Sequence, residues 1–290
     1  MNICVAGDVH GKIDKFYKNI RDFEVKLGIN FDVVLQVGDF GIWIDEKNHD
    51  GITKLHNRIG DFPKWHKEKK SAPVKTYFIN GNNEDFNFLE AVKLSSDFEI
   101  LKNLFYIPNG NVVEIEIKKG IGKIGKKVDT EDKDRDSIGD RIGGGDNIEN
   151  LVVAGIGGKY NPEYFKYREA NRYYTEYEIN NLIKYANQNW DKGKFDKQDK
   201  QIDIFISHDA PEGVLIKDND NAKYYPKAIG LRELILNIKP KIAFFGHHHG
   251  VCKSTIEEIP VYGLNVLCEK ESLIVVKKEK NEFKILGSYP

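Results

Sequence analysis

The chain has 290 residues, enough for one large layered domain with insertions or for two small ones. Hydrophobic residues make up 40% and charged residues 31%, which excludes a membrane-embedded or wholly disordered chain. The formal charge of -1, from 44 basic and 45 acidic residues, excludes the overall basicity of a non-specific polyanion binder, so any polyanion site is local.

In chain order, Met1 leads directly into an apolar run at 3–6, with no basic segment, no long apolar segment and no stretch long enough to span a bilayer. The expected location is cytoplasmic. Cys4, Cys252 and Cys268 are odd in number and widely spaced, which argues against a disulfide framework or a zinc knuckle. Further Val- and Ile-rich runs follow at 33–37, 74–79, 112–117, 151–154, 202–206 and 242–245. Their lack of alternation predicts strands covered on both faces. Amphipathic segments predict helices over 12–27, 52–69, 85–94, 175–188 and 226–238, with Pro226 at a helix start and Pro63 kinking or ending the second. Beyond Gly250, runs at 251–256, 261–266, 272–277 and 283–286 predict consecutive antiparallel strands that complete a second sheet. The sum is a layered α/β fold, expected as a single domain over 1–290. Residues 118–150 are glycine-rich and charged, with too little apolar surface to fold alone, and are expected as a flexible insertion.

Five of these strands end in small residues followed by Asp, Asn or His: Gly7-Asp8-Val9-His10-Gly11, Gly38-Asp39-Phe40-Gly41, Gly81-Asn82-Asn83-Glu84, Ser207-His208-Asp209 and Gly246-His247-His248-His249. Ligands of α/β sheets bind outside the carboxyl ends of strands, so five such ends can converge on one crevice. Asp8, His10, Asp39, Asn82, His208, His247 and His249 together mix carboxylate, amide oxygen and imidazole. That mixture suits borderline transition ions (Mn, Fe, Co, Ni or Zn) better than Mg or Ca. Seven donors exceed what one ion with an open position takes, and two ions bridged by one carboxylate account for them. His49, His56, His66 and His248 are expected to be structural, and Asp209 either orients His208 or is a turn residue.

The order D-x-H, G-D, G-N-x-E, a histidine after a strand and G-H-x-H resembles the calcineurin-like metallophosphoesterase superfamily. The resemblance implies a four-layer fold of two packed mixed β-sheets flanked by helices. It also implies Asp8, His10 and His249 on a first metal, Asn82, His208 and His247 on a second, and Asp39 bridging them. Residues 203–211 and 155–160 further resemble RNA lariat debranching enzymes. The opening Gly7-Asp8-Val9-His10-Gly11 is also similar to serine/threonine protein phosphatases, but Asp39 lacks the arginine that follows in that branch.

Asn83 departs from the superfamily pattern, which carries a histidine there to protonate the leaving group. An amide does not give up a proton near neutral pH, so Asn83 is expected as a neutral donor to a phosphate oxygen. The expected reaction is hydrolysis of a phosphodiester by in-line attack of a metal-held hydroxide, with Asp39 and Asn83 in catalytic roles. The expected substrate is a phosphate ester of RNA, DNA or a nucleotide, met by Lys159, Tyr160 and Arg168 in a stretch of interleaved basic and aromatic residues. A monoesterase of the protein phosphatase kind and a non-catalytic metal-binding scaffold are the alternatives.

Overall fold

A computed structural model describes residues 1–46, 59–95, 97–119, 147–191, 202–217 and 223–290. The strands are β1 (Asn2–Ala6), β2 (Val33–Gln36), β3 (Thr76–Phe78), β4 (Glu99–Leu101), β5 (Leu104–Tyr106), β6 (Asn111–Lys119), β7 (Asn147–Ile156), β8 (Ile204–Ser207), β9 (Ile216–Lys217) and β10 (Lys223–Tyr224). They continue with β11 (Ile242–Phe245), β12 (Cys252–Ile256), β13 (Ile259–Gly263), β14 (Leu273–Glu279) and β15 (Glu282–Tyr289). The helices are α1 (Ile13–Leu27), α2 (Phe62–Lys67), α3 (Phe86–Lys93), α4 (Glu176–Asp191) and α5 (Leu231–Ile238).

The strands form a seven-stranded sheet, β15-β14-β1-β2-β3-β5-β4, and a six-stranded sheet, β12-β13-β11-β8-β7-β6. In the first, β1, β2, β3 and β5 run parallel; in the second, β7, β8, β11 and β13 do. Strand residues alternate between two cores, as a pleated strand covered on both faces must. Ile3 and Val5 of β1 meet Ile204 and Ile206 of β8 and Ile242 and Phe244 of β11 in a core between the sheets. Cys4 and Ala6 instead join Phe16, Tyr17, Ile20 and Phe23 of α1 in a second core. Phe205 and Phe245 join Leu182 of α4 and Leu234 and Ile235 of α5 in a third. Three cores separate four layers, helix–sheet–sheet–helix, as expected.

Local chemistry sets the boundaries. In α1 the buried positions 13, 16, 17, 20 and 23 follow helical spacing, and Gly28 ends the helix in the left-handed region at φ 67°. Asp85 caps α3 by accepting from the Phe88 N–H at 3.1 Å. Several expectations are corrected. The fifth helix begins at Leu231, not Pro226, because Gly230 at φ 94° takes the N-cap position and β10 lies upstream. The second helix is only Phe62–Lys67, with Pro63 in its first turn; 52–58 of that expectation lie outside the described residues. Residues 118–119 and 147–150 are strand, paired in register in the β6–β7 hairpin, while 120–146 of the expected insertion lie outside the described residues. The C-terminal strands do not build one sheet: β12 and β13 pair in the six-stranded sheet, β14 and β15 at the edge of the seven-stranded one. Among the described residues, no helix is long and apolar enough to cross a membrane.

Candidate metal centre

Because their strands are parallel within each sheet, β1, β2, β3, β8 and β11 deliver their following loops to one end of the molecule. Asp8, after β1, is buried; its Oδ1 accepts the His247 N–H at 3.0 Å. Its Oδ2 lies 3.1 Å from His249 Nε2 and 3.6 Å from His10 Nε2. Asp39, after β2, is also buried, with Oδ1 3.7 Å from His208 Nε2 and Oδ2 3.8 Å from His10 Nδ1. His208 is held through Nδ1, 2.9 Å from the Val37 carbonyl oxygen, which leaves Nε2 facing Asn82 Oδ1 at 3.2 Å. The His247 ring lies 4.9 Å from that of His208, centroid to centroid. All seven residues expected as ligands therefore stand around one cluster, buried at Asp8, Asp39, Asn82 and His208 and open at His249.

Four of the seven occupy the left-handed backbone region: His10 at φ 50°, Asp39 at 55°, His247 at 64° and His249 at 47°. Each such conformation costs a non-glycine residue about 1 kcal/mol or more and persists only where its surroundings fix it. Here the N–H groups of Val9 and His10 both donate to the Asp39 carbonyl and Gly11 donates to that of Phe40, locking the β1 and β2 loops together. Glycine is required where the loops touch: a Cβ on Gly81 would collide with the Asp39 carboxylate, and one on Gly246 with that of Asp8.

The donor chemistry fits divalent transition ions. Asp8, His10 and His249 present ligand atoms within 4.8 Å of one another, and so do Asp8, Asp39 and His208. Asp8 belongs to both groups, and Asp39 spans from His10 to His208. Burial pushes the Asp8 carboxyl up, but the hydrogen bond from His249 and the charges of the neighbouring imidazoles outweigh it and hold it below the usual range. Burial and the adjacent His208 push His247 down to about 4, keeping a neutral imidazole, the form that ligates metal.

Two assignments change in the folded chain, and one further residue gains a role. Asn83 does not point an unengaged amide at a substrate position: its N–H donates to Asp39 Oδ1 at 2.8 Å and its Nδ2 to Oδ2 at 2.6 Å, the bridging-candidate carboxylate being the nearest strong acceptor. Asp209 does not orient His208, whose Nδ1 is taken by Val37. It bonds His248 Nε2 at 2.7 Å instead and accepts the Tyr160 N–H at 2.8 Å. His248 sits between His247 and Tyr224, whose hydroxyl donates to the His248 carbonyl at 3.2 Å. Glu84 received no role from the sequence, yet its buried carboxylate gathers the N–H groups of Phe40, Gly41 and Ile42. Its place in the third strand-end motif was the available signal.

The expected substrate contacts lie on the loop after β7. Gly158 N–H donates to the Asn80 carbonyl, two residues before Asn82, and Tyr160 N–H reaches Asp209, next to His208, so the loop is tied to two donor-bearing loops. The Tyr160 ring packs against Phe165 and Tyr174 toward the helix-side core. Lys159 is bridged to Tyr173, and Arg168 lies over the ring of Tyr177, 5.3 Å from its centroid.

The family model for calcineurin-like phosphoesterases matches residues 1–251, which include all seven donors. The chain belongs to the calcineurin-like phosphoesterase family. It is 24% identical over 269 residues to the lariat debranching enzyme of Arabidopsis thaliana, covering 87% of this chain and 55% of that protein. It is 26% identical over 268 residues to that of Danio rerio, covering 86% and 40%. The chain thus spans about half the length of the curated relatives it matches. A solved structure superposes over 99% of both chains with a TM-score of 0.58 at 13% identity, a likeness of fold.

Proposed function

We propose that the chain is a metal-dependent phosphodiesterase that hydrolyses a phosphodiester bond of a nucleic acid, with RNA as the favoured class. The observation that carries this reading is the pair of donor groups, Asp8–His10–His249 and Asp8–Asp39–His208, on family-matching strand ends. In it, Asp8, His10 and His249 would hold one divalent ion and Asn82, His208 and His247 the other, with Asp39 facing both donor groups. Bound there, two such ions supply Lewis-acid neutralisation of phosphate oxygens and activation of water. The metal identity is open among Mn, Fe, Zn, Co and Ni.

This chain's own residues do the rest. Asp39, held at both oxygens by Asn83, is fixed before substrate arrives, so little reorganisation accompanies the reaction. Asn83 serves as a positioning residue, and with no acid in its place the site suits leaving groups that depart without a strong proton donor. The segment after β7 favours nucleic acid. Tyr164 stacks on Tyr173 at 4.8 Å and meets Tyr167 edge-on at 5.4 Å, and Tyr164 and Tyr167 are exposed. Exposed stacked tyrosines near cations such as Lys159, Lys166 and Arg168 offer base-stacking faces beside phosphate contacts. The curated relatives are named lariat debranching enzymes, and that name supports RNA.

The deciding experiment loads the protein with Mn and compares bis(p-nitrophenyl) phosphate, p-nitrophenyl phosphate and short single-stranded RNA. The expected result is diester turnover roughly tenfold or more above the monoester, and RNA affinity that falls as salt rises. A monoester preference overturns the diesterase reading, and salt-indifferent RNA binding overturns the nucleic-acid part of it.

A further inference from the structure

Asp39 spans both donor groups while its backbone holds a conformation unfavourable for an aspartate, φ 55°. Something must fix the chain that leaves it. The next three residues, Phe40, Gly41 and Ile42, all turn their N–H groups onto one side chain: Glu84 Oε1 accepts from Phe40 at 2.8 Å, and Oε2 from Gly41 at 3.1 Å and Ile42 at 2.6 Å. That carboxylate is 1% exposed and sits two residues beyond Asn82, so a single group ties the β3 loop to the β2 loop. The Asp85 N–H donates to the Ile42 carbonyl at 2.8 Å and closes the link from the other side.

We infer that Glu84 is a positioning residue for the metal centre, holding Asp39 in its donor place by anchoring the three backbone N–H groups that follow it. The inference rests on the metal-centre reading above. Three consecutive residues then divide the work: Asn82 presents a donor oxygen, Asn83 grips the Asp39 carboxylate, and Glu84 grips the Asp39 backbone. The third task needs a group that accepts at both oxygens, which is how Glu84 meets the three N–H groups. An amide in the same place turns an NH2 group toward at least one N–H donor, leaving that donor unsatisfied.

The test is a Mn titration of chelator-stripped protein for wild type, Glu84→Gln and Glu84→Asp. It is read by calorimetry and by electron paramagnetic resonance for the coupled Mn pair, with the Tm in chelator measured alongside. Wild type is expected to take two ions and show the coupled signal. Glu84→Gln is expected to weaken both ions, at least one of them tenfold or more, because Asp39 faces both donor groups, and to lose the coupled signal while the Tm in chelator stays near wild type. Glu84→Asp, which keeps two acceptor oxygens on a shorter arm, falls between them and serves if the amide variant fails to fold. Unchanged affinity for both ions, or parallel weakening of both in step with a lower Tm, overturns the inference. Wild type that takes up no Mn overturns this inference and the metal-centre reading together. Two bound ions without diester turnover defeat the functional reading alone, because the titration is read without turnover.

Discussion

The two ends of the sheets treat buried carboxylates in opposite ways. At the end where β8 and β11 begin, Asp203 is 4% exposed and is neutralised within the chain. Its Oδ1 lies 2.8 Å from Lys241 Nζ, its Oδ2 2.7 Å from Lys278 Nζ, and the Val152 N–H donates to it at 3.1 Å. Lys278 comes from the seven-stranded sheet and Asp203 from the residue just before β8, inside the six-stranded one, so the pair also clamps the sheets together. At the opposite end Asp8, Asp39 and Glu84 are buried, and the ion-pair partners of Asp8 and Asp39 are imidazoles: His10, His208 and His249. Imidazoles are weak cations at neutral pH and good metal ligands. The first end is complete as folded; the second, among the described residues, sets buried Asp8 and Asp39 against imidazoles and no lysine or arginine ion pair, which suits added cations.

Matched amide substitutions test that contrast. Asp8→Asn is expected to lower kcat/KM for the diester roughly a thousandfold, a loss of about 4 kcal/mol of transition-state stabilisation. In chelator its Tm should fall less than that of Asp203→Asn, because the amide keeps an acceptor for the His247 N–H and leaves no lysine without its partner. Asp203→Asn should do the reverse. It leaves Lys241 and Lys278 only 16% and 12% exposed and poorly paired, and should cost about 2–3 kcal/mol in urea unfolding. Turnover at 20 °C under folding conditions should stay near wild type. If both variants lose stability alike, the two ends are not different in kind.

How much of this the amino-acid pattern reveals depends on distance along the chain. Residues 33–36 and 242–245 read as strands because β-branched and apolar residues bounded by turn residues need no partner information. The strand-end motifs read as a converging site for the same reason: each is local, and the parallel arrangement does the rest. What requires the fold stays hidden. Glu84 looks like one acid among many until the loop 40–42 brings three N–H groups to it. Asp209 and His248 are 39 positions apart, and nothing local to either announces the bond between them. The β4 and β5 strands are three residues each, too short for a periodic signal. The C-terminal hairpins were legible as hairpins, but a hairpin carries no mark of which sheet it joins. The start of α5 was misplaced because Pro226 satisfies the rule for a first helical residue, while Gly230 sets the actual cap.

A half-buried carboxylate shows what happens where hydrogen bonds and a lysine charge meet burial without metal donors at hand. Glu178, in the first turn of α4, accepts the Thr175 N–H at 2.8 Å and the Thr175 hydroxyl at 3.1 Å, a capping box. Burial raises its pKa to about 7 from 4.5, against the hydrogen bonds from Thr175 and Asn109 and the charge of Lys93. Below about pH 4.5 folded and unfolded chains both hold the proton, and the group is neutral to stability. Between there and about 7 the unfolded chain releases it first, so stability falls as pH rises; above that the deficit is constant. Glu178→Gln keeps an acceptor for the Thr175 N–H and removes the charge. It should therefore be more stable than wild type at pH 8 by on the order of 1–3 kcal/mol, and equal to it at about pH 4. Urea unfolding at the two pH values reads the difference directly. A gain of the same size at both would place the effect in packing and not in the proton, and Glu178 would then stand with Asp203, satisfied as folded.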